Sequence, residues 1–315
     1  MLFIFISLHF HKCDHGTHPP IVIPTDHSKR SLKLTDDTQW DNIRIEFDYK
    51  YLFGDYSCKS ATDTVSWGGR TYSCAEGDVA DKEQKTEIVK QTLINLKNYL
   101  NRLLKVHPST EVKVPATLST QPYYQRDQAT KTGVDLYIYV YARPYQGSST
   151  LASASPLTYI VEDSRRPDVG MININFAKLG NSASSEKDAD RDIFETLLHE
   201  TCHILGISDT LFKQWDDGQG KRVQSKNIYE CSKAGSTFTI LSTPKIKEVI
   251  KKRFGLSGDY FTDLTLNGEN ICPIGVEIED GGGSGTKGSH WDGRVYAGEL
   301  MTGYTHGFHQ FQRFH

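Results

Sequence analysis

Hydrophobic and polar positions change rhythm several times along this chain, and each rhythm predicts an element. Ile43-Arg44-Ile45-Glu46-Phe47-Asp48-Tyr49 alternates apolar and polar, the pattern of a half-buried strand. Asp55 to Glu76 shows no period and reads as a loop. From Asp81 to Val106 the apolar residues Ile88, Leu93, Leu96, Leu100, Leu103 and Leu104 recur at helical spacing, predicting a long amphipathic helix. Asp135-Leu136-Tyr137-Ile138-Tyr139-Val140-Tyr141 is β-branched and aromatic, a central strand. Thr150 to Ser155 predicts a short strand of small residues, and Met171 to Phe176 alternates again. Asp188 or a nearby serine opens a helix that Gly206 ends, a positive φ there letting the chain turn sharply. Pro244 to Phe254 predicts one further helix, with proline early and Gly255 past its end.

Composition adds bounds. The 315 residues allow one large domain or two smaller ones. A hydrophobic fraction of 37% is ordinary for a soluble globular protein, and a net charge of -3 gives no positive field for nucleic acid. No apolar run reaches the length of a membrane span. Leu2 to Leu8 is a short apolar run like the end of a secretory h-region, without a basic segment before it. Of the six cysteines, Cys58 and Cys74 flank a glycine-containing loop and Cys231 and Cys272 lie in one later region. Each couple is a candidate disulfide, which would leave Cys13 and Cys202; spacing alone does not fix the pairing.

The chemistry concentrates in His199-Glu200-Thr201-Cys202-His203, inside the helix that Gly206 ends. Positions four apart stand above one another on a helix, so His199 and His203 can offer two imidazoles to one metal ion. Glu200, one step round, is placed as a general base toward a water at that ion. This is the two-His, one-Glu arrangement of zinc peptidases. A catalytic zinc takes three protein ligands and keeps one position open. The third ligand has two candidates: Asp209, three residues after Gly206, and His290, eighty-seven residues after His203 in Gly288-Ser289-His290-Trp291-Asp292. Asp209 is equally a surface residue after the helix stop, and Asp292 is either an acceptor that orients His290 or a plain surface carboxylate.

The order of blocks resembles a known family. The helix motif ending in Ile204-Leu205-Gly206, the remote Gly288-Ser289-His290-Trp291 and then Glu299-Leu300-Met301-Thr302-Gly303 are similar to the leishmanolysin family of metzincins. Tyr141-Ala142-Arg143-Pro144 with Gly147, Ala152-Ser153-Ala154, Arg166-Pro167 with Gly170 and Asn173, and Gly275 to Gly285 are similar to other blocks of that family. Trp40 to Ile45 resembles its mature start, so the likeness covers roughly residues 40 to 303.

The resemblance implies an α+β fold of metzincin type: a twisted mixed sheet, an active-site helix, a long insertion before the third histidine, and a C-terminal part truncated twelve residues after Gly303. It implies one Zn²⁺ per chain held by His199, His203 and His290, Glu200 as general base, and Met301 in a turn beneath the metal. His11-Lys12-Cys13-Asp14-His15 resembles a pro-segment in which the Cys13 thiolate blocks the open zinc position. Thr150 to Ser155 falls where the family has a sheet edge that aligns substrate.

The expected organisation is residues 1–36 as signal-like and pro-segment, 37–206 as an N-terminal catalytic subdomain, 207–285 as the insertion and 286–315 as the third-ligand and methionine-turn segment. The expected partner is a protein or peptide substrate, outside the cell or on its surface. The family allows association with a membrane, although this chain shows no span or anchor signal. A second reading keeps the fold as a catalytically impaired surface adhesion or binding protein. Glu200 speaks for the enzyme and the truncated C-terminal part for the binder.

Overall fold

In the computed structural model the residues described are 11–12, 40–67, 70–80, 84–118, 121–125, 128–145, 149–160, 166–179, 186–213, 215, 227–233, 235–256, 272–281 and 285–305. They form a mixed α+β structure with several small sheets and few helices. The chain divides into two compact units, the second beginning at Gly206 and the first holding most of what precedes it.

The first unit is built on a four-stranded mixed sheet. Its strands are β1 (Ile45–Asp48), β2 (Leu136–Tyr141), β3 (Ala152–Tyr159) and β4 (Pro167–Ile174), in the spatial order β3, β4, β2, β1. β2 runs parallel to both β1 and β4. β3 is antiparallel to β4 and lies at the sheet edge, as expected for that segment. β2 and β4 are buried along their whole length, so the apolar–polar alternation from Met171 onward marks no solvent face of β4.

Two helices of twenty residues accompany the sheet, α1 (Gln84–Leu103) and α2 (Glu186–Leu205). α1 buries Val89, Leu93, Leu96 and Leu100 at steps of three and four, while Ile88 and Leu103 lie outside that stripe, 40% and 59% exposed. α2 packs on β3 and β4. The close approach requires Gly170: a Cβ there would lie 2.6 Å from Cγ2 of Ile204. Another cluster gathers Tyr137, Tyr139 and Tyr141 of β2 with Leu157, Val169, Met171 and Tyr51. The Tyr51 ring stands 5.6 Å from Tyr139 and 5.4 Å from Tyr141. The tyrosines of β2 are therefore packing residues, and Tyr137 places its hydroxyl on Asp48 at 2.8 Å.

The stretch from Asp55 to Glu76 is more ordered than its sequence rhythm predicts. Thr64–Trp67 and Arg70–Ser73 pair antiparallel, and a Cys58–Cys74 disulfide closes the segment. Glu111–Val114 pairs with Ala129–Thr132, burying Val112 and Val114.

The second unit holds the four-residue α3 (Asp209–Phe212), the strands β5 (Ile228–Lys233), β6 (Ser236–Leu241) and β7 (Val276–Ile278), and α4 (Pro244–Arg253). The three strands form one antiparallel sheet in chain order. Phe212, Leu241, Val276, Ile278 and Tyr296 make its core. Cys231 and Cys272 are disulfide-bonded. Thr243 caps α4 by accepting from the Ile246 N–H at 3.1 Å, Pro244 takes the first turn, and Gly255 follows at φ 64°. Gly206 has φ 142°, and its carbonyl accepts from the Trp215 indole at 2.9 Å.

Candidate metal and peptidase site

α2 begins at Glu186, two residues before Asp188, and carries the motif in its last two turns. Leu197, Leu198 and Ile204 are buried and fix the rotation of the helix. That rotation buries His199 and His203, at 4% and 0% exposed, and takes Glu200 wholly out of water. The imidazoles meet edge to face with centroids 4.6 Å apart, and their Nε2 atoms stand 2.9 Å from each other. Two nitrogen ligands on one tetrahedral ion, at about 2.0–2.1 Å each, lie roughly 3.3 Å apart. The helix thus sets two imidazole nitrogens at nearly the separation a zinc ion needs.

Thr201 lies on the same turn and donates its hydroxyl to the Leu197 carbonyl at 2.7 Å. Cys202 is the free cysteine among the described residues. Burial, and then the charge of Glu200, push its thiol up to about 12, so at neutral pH it is a neutral group that packs rather than reacts.

The second unit holds His290, Met301 and Asp209. His290 is fully buried. Its Nδ1 lies 2.8 Å from the Thr286 carbonyl, which can only accept, so Nδ1 is the donor. Orientation by Asp292 is replaced by this main-chain contact. Asp292 is itself buried, and its carboxylate receives the Arg294 guanidinium and the Arg294 N–H. Burial raises that carboxyl, and the bonds from Arg294 outweigh it, leaving it below the ordinary range.

Met301 is buried, and its carbonyl accepts from the Trp291 N–H at 2.8 Å. Trp291 also bridges in parallel to Thr302 and antiparallel to Ile278. Gly303 completes this turn by closeness: a Cβ there would lie 2.7 Å from Cγ2 of Thr286. Asp209 opens α3 instead. Its carboxylate accepts from the Thr210 N–H at 2.7 Å and its own N–H donates to Ser289 at 3.2 Å. Cys13 lies outside the described residues.

Sequence reasoning missed a polar clamp beside α2. Asn173 of β4 accepts from the Arg143 N–H at 2.8 Å and donates to the Arg143 carbonyl at 3.2 Å. Tyr145 bonds Ser153 of β3 at 2.6 Å and the Asn173 carbonyl at 3.0 Å. Burial raises the Tyr145 phenol, so it stays protonated and able to donate. The presence of Arg143, Asn173 and Ser153 within the blocks that resemble the family was the available signal.

Comparison with known proteins agrees with the motif order. The family model for leishmanolysin matches residues 23–311. A leishmanolysin homolog of Crithidia fasciculata is 26% identical over 278 residues, covering 86% of this chain and 38% of that protein. A leishmanolysin-like peptidase of Caenorhabditis elegans is 28% identical over 203 residues, covering 54% and 28%. A ciliated left-right organizer metallopeptidase of Mus musculus is 31% identical over 122 residues, covering 37% and 15%. The chain thus spans well under half the length of these relatives. The breadth of the family match makes this chain a member of the leishmanolysin family of metallopeptidases.

Proposed function

We propose that this chain is a zinc-dependent metalloendopeptidase of metzincin type, in which His199 and His203 of the first unit and His290 of the second hold one zinc ion. The observation that carries this reading is the 2.9 Å separation of the His199 and His203 Nε2 atoms with Glu200 buried beside them. His290 joins as third ligand through Nε2, its ring held in orientation by the Nδ1 contact with the Thr286 carbonyl at 2.8 Å. Asp209 is not needed; its carboxylate serves the start of α3.

Zinc, when bound, supplies a Lewis acid toward the scissile carbonyl and lowers the pKa of a water from about 15.7 to about 7. Glu200 takes the proton from the attacking water and hands it to the leaving amine. Its burial strengthens that exchange, since few waters compete for the carboxylate. Met301 holds the His290 segment through its carbonyl without ligating. β3, at the sheet edge, aligns an extended substrate by main-chain pairing. Two disulfides support an exported protein, and among the described residues no helix is long and apolar enough to cross a membrane.

Casein hydrolysis by the purified chain, paired with zinc analysis, tests the proposal. Glu200→Ala should keep its zinc and lose about 10²–10⁴ in rate. His199→Ala and His203→Ala should lose zinc as well as rate, and a chelator should abolish cleavage. A chain that holds one zinc and cleaves nothing would move to the binding-protein reading. Cleavage that survives Glu200→Ala would overturn the mechanism.

A further inference from the structure

The segment that presents His290 follows β7 and is rich in glycine, with Gly281, Gly288 and Gly293 among its described residues. Something must hold such a stretch, because glycine carries a high conformational entropy into folding. Glu279 is 8% exposed and bonds to this stretch at four points. Its carboxylate accepts from the Gly281 N–H at 2.9 Å through one oxygen and from the Gly293 N–H at 3.3 Å through the other. Its own N–H donates to the His290 carbonyl at 2.8 Å, and its carbonyl accepts from the Gly288 N–H at 2.8 Å. Thr286, whose carbonyl holds the His290 ring, donates its hydroxyl to Gly281 at 3.2 Å. The residues on both sides of His290 are therefore tied to one buried carboxylate residue.

We propose that Glu279 is a positioning residue for the metal: it ties the backbone at Gly281 and at Gly293, on either side of His290, and thereby aims Nε2 of His290. This rests on the reading of His290 as a zinc ligand. Glu279 acts through His290 and is not itself a ligand, for both its oxygens are engaged by backbone N–H groups. The main-chain bonds survive any side-chain replacement, so the carboxylate is the part that can be tested. A Glu279→Ala change removes both side-chain bonds. Glu279→Gln keeps the shape and one carbonyl acceptor, and turns an N–H₂ toward one glycine N–H.

The experiment is a competitive zinc titration of the full chain against a chelator of known affinity, with the melting temperature of the zinc-free protein measured beside it. Glu279→Ala should bind zinc about 10–100-fold more weakly, the range for residues that orient a ligand, and cleavage should return as zinc is raised. Glu279→Gln should fall between it and the unmodified chain. His290→Ala is the reference. If His290→Ala binds zinc as tightly as the unmodified chain, the zinc reading fails and this inference with it. If His290→Ala loses zinc and neither Glu279 variant does, the inference alone falls. A lower zinc-free melting temperature with unchanged zinc affinity assigns Glu279 to folding and overturns its positioning role. Should Glu279→Ala not fold, Glu279→Gln decides: unchanged affinity there also overturns the proposal.

Discussion

Asp135 sits at the start of β2 with its side chain wholly buried, and its carboxylate takes four hydrogen bonds: three from Arg44, through N, Nε and Nη2, and one from the Ser109 N–H. Arg166 closes the cluster, donating to the Asp135 carbonyl and to the Ser109 hydroxyl. Burial raises the Asp135 carboxyl; the Arg44 guanidinium and the backbone N–H groups outweigh that and hold it below the ordinary range. A depressed carboxyl stabilises the fold at pH values above the unfolded value of about 3.9, and the contribution is lost as pH falls through the lower folded value. Asp135→Asn should cost about 2–3 kcal/mol at pH 7, toward the low end for a broken buried pair because Arg44 is 36% open to water. Urea midpoints of the two proteins should converge below about pH 4; a gap that stays constant into acid would remove the carboxylate from the account. Nothing in the sequence around Asp135 announces this role, because its partners lie 91 and 26 positions away. The motif residues were legible for the opposite reason: His199, Glu200 and His203 depend on one helix, whose period brings them together without long-range help.

At the scale of elements, rhythm found the long pieces and missed the short ones. α1, α2, α4 and the first two strands of the main sheet lie close to where periodicity places them; β4 starts four residues earlier than expected, and β3 runs four residues further and stands at the sheet edge. The hairpin of Thr64–Trp67 and Arg70–Ser73 and the β5–β6 pair were missed, because their strands are four to six residues long and lean on polar residues such as Thr, Ser and Lys. The seat of α2 on the sheet depends on a residue that rhythm cannot flag. Gly170→Ala would drive a methyl into the fully buried Ile204, whose side chain must shift. The expected cost is about 1–3 kcal/mol in unfolding free energy. A second change, Ile204→Val, should return part of it in a double-mutant cycle. Independent, additive losses would show that the helix seats elsewhere.

For the whole molecule, each compact unit carries its own disulfide, Cys58–Cys74 in the first and Cys231–Cys272 in the second. The first closes a short loop of 16 positions, for which chain entropy gives about 3 kcal/mol. Replacing both partners by serine should lower the melting temperature by roughly 6–12 °C, read by calorimetry, if the unit unfolds cooperatively. Equal melting with and without the bridge would argue that the loop is already ordered in the unfolded chain. That the later part builds its own three-stranded sheet was not visible in the sequence, since β7 follows β6 only after more than thirty residues.

The helical pair of imidazoles has one more effect, on the choice of ion. Two nitrogen donors four residues apart on a rigid rod chelate any divalent metal that favours imidazole, and the affinity order for such donors places copper above both nickel and zinc. If the chain holds a metal as proposed, the ion is therefore decided by what its compartment offers. Protein recovered from a copper-rich medium should come away with copper in place of zinc.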